Sequence, residues 1–312
     1  MAASSTEGDD IFTVVSRPGP VEMQILDALS PTMIARRRVA CGVNLRTLET
    51  TSPHHGHAVV LLHGRGHAST IWAPIAAKLA ERRTVLAADL PGFGHSASPP
   101  FLSSHDGMAG LSFFSRPIGE WLVGRGDASI VLVGHSLGGL VALQLALERR
   151  LPVAALVLVD AMGLSPTVTL KSRLYLRTGP ERIASVRSLL GIDRALRPRA
   201  GDLEASLLPL RHELLTTRGG RPQASRAFNA MLPLTGDAFH LRDRLGDVDV
   251  PVLLVWGERD DAFLLPVAID AQTRMPRAEL VTLDAGHSPH IEMPARTCSA
   301  IDAFLSRIDA TR

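Results

Sequence analysis

Ser136 stands in the run Gly134-His135-Ser136-Leu137-Gly138, a G-x-S-x-G pattern. A serine so placed can attack a carbonyl carbon, provided that something removes its proton. Its hydroxyl is a weak nucleophile at neutral pH. It needs a base within hydrogen-bond reach, and the base needs a partner that fixes its tautomer and supports its charge. The pattern is short and arises by chance in glycine-rich chains, so its setting decides its meaning.

Twelve histidines compete for the role of base. His287 stands in Asp284-Ala-Gly-His-Ser-Pro-His290, directly after the last apolar run, where loops carry functional groups. His290, three residues on, reads as the start of a helix with a structural or capping role. His63, beside Gly64, either lines a substrate site or braces its own loop. His54, His55 and His57 look like a metal cluster, but no cysteine or carboxylate accompanies them. An exposed turn is the plainer reading, and no metal is expected. His95, His105, His212 and His240 have no supporting context.

The acid is sought after another apolar run, in Val255-Trp-Gly-Glu-Arg-Asp260-Asp261. Asp260 or Asp261 would hold the imidazole, and Glu258 reads as a structural partner. Asp160, after the run 155–159, is the reserve acid. Asp89 precedes Pro91-Gly92-Phe93-Gly94 and reads as a brace for that turn. The order Ser136, Asp260, His287 matches one of the three known chain orders of such triads.

An oxyanion would need two N–H donors. Leu137, first in the helix after the serine, supplies one. The loop His63-Gly64-Arg65-Gly66-His67 is the expected source of the other, with the Arg65 N–H as candidate. The Arg65 side chain either holds a substrate carboxylate or points to solvent, and solvent is the default expectation. His63 and Gly64 are the expected substrate-binding positions.

These groups must be presented by rigid elements. Ala58–Leu62 is continuously apolar, as expected of a strand covered on both faces, and the runs 84–88, 129–133, 155–159, 250–255 and 279–283 have the same character. Residues 38–48 alternate around a glycine and predict a hairpin. Residues 72–82 and 140–150 read as helices, the latter closed by Arg149, Arg150 and Pro152. Strands alternating with helices predict an α/β fold with a mostly parallel sheet. The serine falls between the run 129–133 and the helix from 140, the strand-to-helix turn that a nucleophile elbow requires.

The alternation stops between residues 162 and 245. Helical stretches at 183–190 and 203–215 predict a helical cap inserted between two strands. The expected organisation is therefore an extension over 1–35 with a helix over 21–29, a core over 36–161 and 246–312, and a cap over 162–245. The cap is basic, with 13 Arg and one Lys against seven acids over 161–245. A solvated surface explains that more simply than an anionic substrate does.

Bulk composition narrows the classes. The 312 residues are 46% apolar, enough for a large core, and the net charge of +2 gives no pull toward nucleic acid. Cys41 and Cys298 make no disulfide framework, and the acidic, polar start is no secretory signal. A cytoplasmic protein without membrane insertion is expected.

Several segments together resemble the α/β-hydrolase superfamily: His63-Gly64 with Trp72, Asp89-Leu-Pro-Gly-Phe-Gly-His-Ser96, Gly134-His-Ser-Leu-Gly-Gly139, Trp256-Gly-Glu-Arg-Asp260 and Gly286-His-Ser-Pro-His-Ile-Glu-Met-Pro294. The resemblance implies an α/β-hydrolase fold and a serine hydrolase acting on a small molecule, an ester, lactone or thioester, without a cofactor. Carbon–carbon bond hydrolysis, acyl transfer and a non-catalytic ligand sensor remain as alternatives. Serine at 136 argues against the related epoxide hydrolases and haloalkane dehalogenases, which use aspartate there. Relatives often place a proline soon after the acid. Here Pro266 comes late, which leaves Asp260 and Asp261 both open.

Overall fold

The computed structural model describes residues 18–30, 32–102, 105–178, 202–217 and 222–310. Eight strands form one sheet in the order β1-β2-β4-β3-β5-β6-β7-β8. They are β1 (Met33–Ala40), β2 (Val43–Thr50), β3 (Ala58–Leu62), β4 (Val85–Ala88), β5 (Ile130–His135), β6 (Val153–Val159), β7 (Val252–Gly257) and β8 (Ala278–Leu283). β1 and β2 run antiparallel to their neighbours, and all other pairs are parallel. The fold is that expected from the sequence.

The hairpin turns at Cys41 (φ 51°) and Gly42 (φ 72°), the two positive φ values that a tight turn matched to strand twist requires. Arg36, Arg37 and Arg38 line β1, and charge on an edge strand discourages pairing with other chains. The central strands are buried on both faces, which explains their unbroken apolar runs. Period-two alternation still divides them. Val60, Leu62 and Leu132 enter one core, while Val59, Leu61, Val131 and Val133 enter the other.

On the first face lie α3 (Gly107–Arg125) and α4 (Leu137–Glu148). On the second lie α1 (Pro20–Leu29), α2 (Ala73–Ala80) and the C-terminal helix, Pro294–Ala310. Among the described residues, three α-helices lie between β6 and β7: α5 (Leu170–Thr178), α6 (Leu207–Thr217) and α7 (Pro222–Met231). The helix expected over 183–190 falls outside the described residues. After β7 come α8 (Leu265–Arg274), the single turn α9 (Pro289–Glu292) and α10, the C-terminal helix.

Helix α3 was not anticipated from the sequence. Its 19 residues include Gly110, Pro117 and Gly119, which read as helix breakers. Packing explains the glycines. A Cβ at Gly110 would overlap the Ala227 carbonyl of α7, and one at Gly119 would come within 2.9 Å of Leu145. Asp106 caps the start, accepting from the N–H groups of Met108 (2.9 Å) and Ala109 (3.1 Å).

A buried ionic chain ties the N-terminal helix to the core. Arg46, on β2, donates to Glu22 of α1 (2.5 Å) and to Asp89 after β4 (2.8 Å). Glu22 also accepts from Thr70 and pairs with His95. Burial raises the Asp89 and Glu22 carboxyls, but the Arg46 guanidinium and their hydrogen bonds outweigh it and leave both below the ordinary carboxylate range. Asp89 thus braces the turn after β4, as expected, accepting from the Ser69 and His95 N–H groups.

Removing Arg46 would strand two buried carboxylates. Arg46→Met should therefore destabilise the fold by about 3–5 kcal/mol, read from urea unfolding at pH 7. A loss below about 1 kcal/mol, the level of an exposed pair, would show that this chain contributes little.

Candidate active site

Ser136 sits between β5 and α4 with φ 53° and ψ −117°, a conformation that L-residues rarely adopt. The turn survives because its neighbours are glycines. A Cβ at Gly134 would overlap the Gly138 carbonyl, and one at Gly138 would overlap the Leu62 carbonyl at the end of β3. The Ser136 N–H donates to Val159 O of β6 (3.0 Å), and Ser136 O accepts from Met162 (3.0 Å). The serine is held from both sides.

The Ser136 hydroxyl lies 3.1 Å from His287 Nε2, and His287 Nδ1 lies 2.8 Å from Asp260 Oδ2. The carboxylate can only accept, so His287 carries its proton on Nδ1 and leaves Nε2 free to accept from Ser136. The other oxygen of Asp260 accepts from the N–H groups of Ala262 (2.7 Å) and Phe263 (3.0 Å). Asp261 points outward to Lys171 instead (2.6 Å). The two acids left open by the sequence are thus separated by geometry. The three groups stand at the carboxyl ends of β5, β7 and β8, where ligands of open α/β sheets bind.

A model of the alpha/beta hydrolase family matches residues 59–300. The chain belongs to this family. Among its relatives is an uncharacterized protein of Mycobacterium bovis, 31% identical over 80% of this chain and 75% of that protein. The pimeloyl-[acyl-carrier protein] methyl ester esterase of Vibrio vulnificus is 28% identical over 81% of this chain and 95% of that protein. The solved enol-lactonase from Burkholderia xenovorans LB400 superposes with a TM-score of 0.67 at 20% identity, covering 87% of this chain and all of that one.

Within this hydrolase fold, Leu137 is the first residue of α4, so its N–H has no acceptor within the helix. The loop after β3 lies alongside, since a Cβ at Gly64 would come within 3.3 Å of the Ser136 Cβ. His63 does not line the site. Its Nδ1 donates to Gly64 O (2.7 Å) and its Nε2 accepts from Leu90 (2.9 Å), so both nitrogens are used inside the loop. Burial lowers its pKa to about 4, against the pull of Asp89. The Arg65 side chain departs from the solvent expectation. It is 6% exposed, with its guanidinium 5.1 Å from the Phe228 ring of α7.

Two further groups shape the site. Asp160 lies beside Asp260 with φ 40° and accepts from the Gly257 N–H (2.9 Å). Burial, then the Asp260 charge, push its carboxyl well above the ordinary range, so it is held protonated. A neutral acid cannot support an imidazolium, which counts against the reserve role. Glu292 of α9 was missed in the sequence. It accepts from the Gly286 (2.8 Å) and Ser288 (3.1 Å) N–H groups and so fixes the peptides flanking His287.

Of the structural and capping roles expected for His290, the structure favours the structural one. His290 does not cap α9 but is buried, 4.5 Å from the Trp72 ring and 4.2 Å from the His135 ring. His67 completes this group, and ring nitrogens of all three lie within 4.8 Å of one another. Burial lowers all three imidazoles well below their usual pKa. The sequence offered one hint, since each stands within three residues of a site position. His54 and His57 instead bond to Ala80 O and the Ser129 hydroxyl, and form no metal-holding group among the described residues.

Asp160 gives a pH signature. Its folded pKa is raised above the unfolded value of about 3.9, so its favourable contribution is complete below that pH and is lost as pH rises toward the folded pKa. Asp160→Asn keeps an acceptor for Gly257 and removes the titration. It should match the parent in stability near pH 3 and exceed it at pH 7, measured by urea midpoints. An equal or lower midpoint at pH 7 would refute the protonated state.

Proposed function

We propose that the protein hydrolyses a carboxylic ester, lactone or thioester of a small organic molecule through an acyl-enzyme on Ser136. The observation that carries this reading is the hydrogen-bonded chain from the Ser136 hydroxyl through His287 to Asp260. The similarity to a methyl ester esterase over most of both chains supports the ester bond as the target. The solved relatives, at 20% identity, support the fold alone.

The steps follow from the protonation states. Ser136 Oγ attacks the carbonyl carbon while its proton passes to His287 Nε2. The imidazolium so formed is stabilised by Asp260, whose other oxygen accepts from the Ala262 and Phe263 N–H groups. The oxyanion is received by the N–H groups of Leu137 and Arg65, the first of which also lies at a helix N-terminus. Collapse expels the alcohol or thiol, which takes the proton from His287. Water then repeats the sequence on the acyl-enzyme, releasing the carboxylic acid and free Ser136.

The helical insertion serves as a cap. Leu215 of α6 sits over Gly66, Ala224 of α7 meets Gly92, and Phe228 underlies Arg65. Ser136 is only 4% exposed beneath this cover. An acyl chain reaching Ser136 passes among these apolar side chains, where exclusion of water strengthens the oxyanion contacts.

Ser136→Ala should lower kcat on a short p-nitrophenyl ester by at least about 10⁴-fold and abolish labelling by a fluorophosphonate. Asp260→Asn should lower kcat by about 10⁴-fold through the wrong imidazole tautomer, whereas Asp261→Asn should leave it within a factor of two. Retained turnover in Ser136→Ala would overturn the acyl-enzyme.

A further inference from the structure

Outside the Ser136–His287–Asp260 chain, three histidines converge from separate segments. His67 lies on the loop after β3, His135 ends β5, and His290 lies in α9. All three are at least nine-tenths buried, and one ring nitrogen of each lies within 4.8 Å of the other two. Their nitrogens are poorly satisfied. His67 Nδ1, His135 Nδ1 and both nitrogens of His290 have no hydrogen-bond partner among the described residues. Each such buried polar atom carries an uncompensated desolvation cost. Leucine or phenylalanine would fill the space without that cost.

We propose that His67, His135 and His290 bind one divalent cation of the zinc class.

The tautomer of His135 supports this directly. Its Nε2 lies 2.7 Å from His287 O, a carbonyl that can only accept, so Nε2 carries the proton. Nδ1 is therefore a fixed lone pair. A ring that donates one N–H to a backbone carbonyl and offers the other nitrogen is the usual arrangement of a metal-binding histidine. The space before Nδ1 depends on Gly64, because a Cβ there would come within 2.6 Å of that atom.

The donor set selects the ion. Three imidazoles and no carboxylate suit zinc, cobalt, nickel or copper and not magnesium or calcium. The charge of Arg211 bears on all three rings and opposes any cation, so binding must come from coordination. Zinc–nitrogen bonds of about 2.0–2.1 Å require nitrogens about 3.4 Å apart in a tetrahedron. The three nitrogens lie within 4.8 Å of one another, so they must draw closer when the ion binds. A bound cation would join the Gly64–Arg65 loop, the strand end before Ser136 and the His287 segment. The inference stands on these placements, independently of whether Ser136 turns over an ester.

The test uses the full-length chain, stripped with a chelator and titrated with Co²⁺ and then Zn²⁺. The expected results are visible cobalt bands from a four- or five-coordinate site, one Zn²⁺ retained per chain after gel filtration, and an X-ray absorption spectrum fitted by three imidazoles. His290→Gln should weaken Zn²⁺ binding by at least about 100-fold. Ser136→Ala should bind Zn²⁺ like the parent, which separates this site from the acyl-enzyme. His287→Ala should retain stoichiometric Zn²⁺, which separates it from the neighbouring Asp160–Asp260–His287 group. A His54→Gln, His55→Gln, His57→Gln variant should also bind normally. Substoichiometric zinc, fewer than three imidazoles in the absorption spectrum, or unchanged affinity in folded His290→Gln would overturn the proposal. If that variant fails to fold, the absorption spectrum of the parent decides.

Discussion

The site depends on two places where backbone meets backbone with no room for a side chain. At the first, Gly138 rests on the Leu62 carbonyl at the end of β3, and Gly134 rests on Gly138. This contact brings the start of α4 against the loop after β3. It therefore fixes the distance between the Ser136 hydroxyl and the N–H groups that would receive an oxyanion. At the second, Gly257 rests on the Gly286 carbonyl. That contact joins the turn carrying Asp260 to the loop carrying His287. Any Cβ at these positions would push the paired segments apart. A displacement of about 1 Å is enough to cost a factor of about 10² in rate.

Charge at the site is controlled by unequal hydrogen bonding of two neighbouring acids. Asp160 and Asp260 are both buried. Asp260 accepts from two N–H groups and from His287, so its negative charge is well served. Asp160 accepts from Gly257 alone among these, and one of its oxygens has no partner among the described residues. Two adjacent carboxylates in a dry site do not both ionise. Burial and the neighbouring Asp260 charge push the Asp160 carboxyl toward its neutral form. Sequence position alone could not rank them, because each follows the end of a parallel strand.

Much of the fold was legible because parallel strands covered on both faces leave unbroken apolar runs. β3 to β7 were readable in this way, whereas β8 at the sheet edge is half-buried and carries Glu279 and Thr282; the elbow at Ser136 followed from the strand before it and the helix after it. What escaped was set by contacts between distant segments. α3 carries glycines that suggest a loop, yet Gly110 exists to admit α7. Glu292 looks like an ordinary helix residue until its carboxylate is seen holding the Gly286 and Ser288 N–H groups. The Arg65 side chain was expected in solvent because nothing in the sequence reveals Phe228 beneath it. His67, His135 and His290 are spread over more than 220 residues, and only the sheet order brings them together.

The helical insertion proposed above as a cover is fastened to the core by a route that runs through the N-terminal helix. Glu213 of α6 accepts from the N–H groups of Val21 and Glu22 (both 3.0 Å), capping α1 from outside its own segment. Glu22 holds Arg46, and Arg46 holds Asp89. Asp89 fixes the turn containing Gly92, and Gly92 packs against Ala224 of α7. The route thus leaves the insertion at α6 and returns to it at α7. Because its links are buried and charged, they are strong when all are present and costly when one is missing. Helix α1 is in this sense part of the cover, since it transmits the position of a core strand to the helices above Ser136. A change in α1 can therefore alter access to the serine without touching any residue of the site.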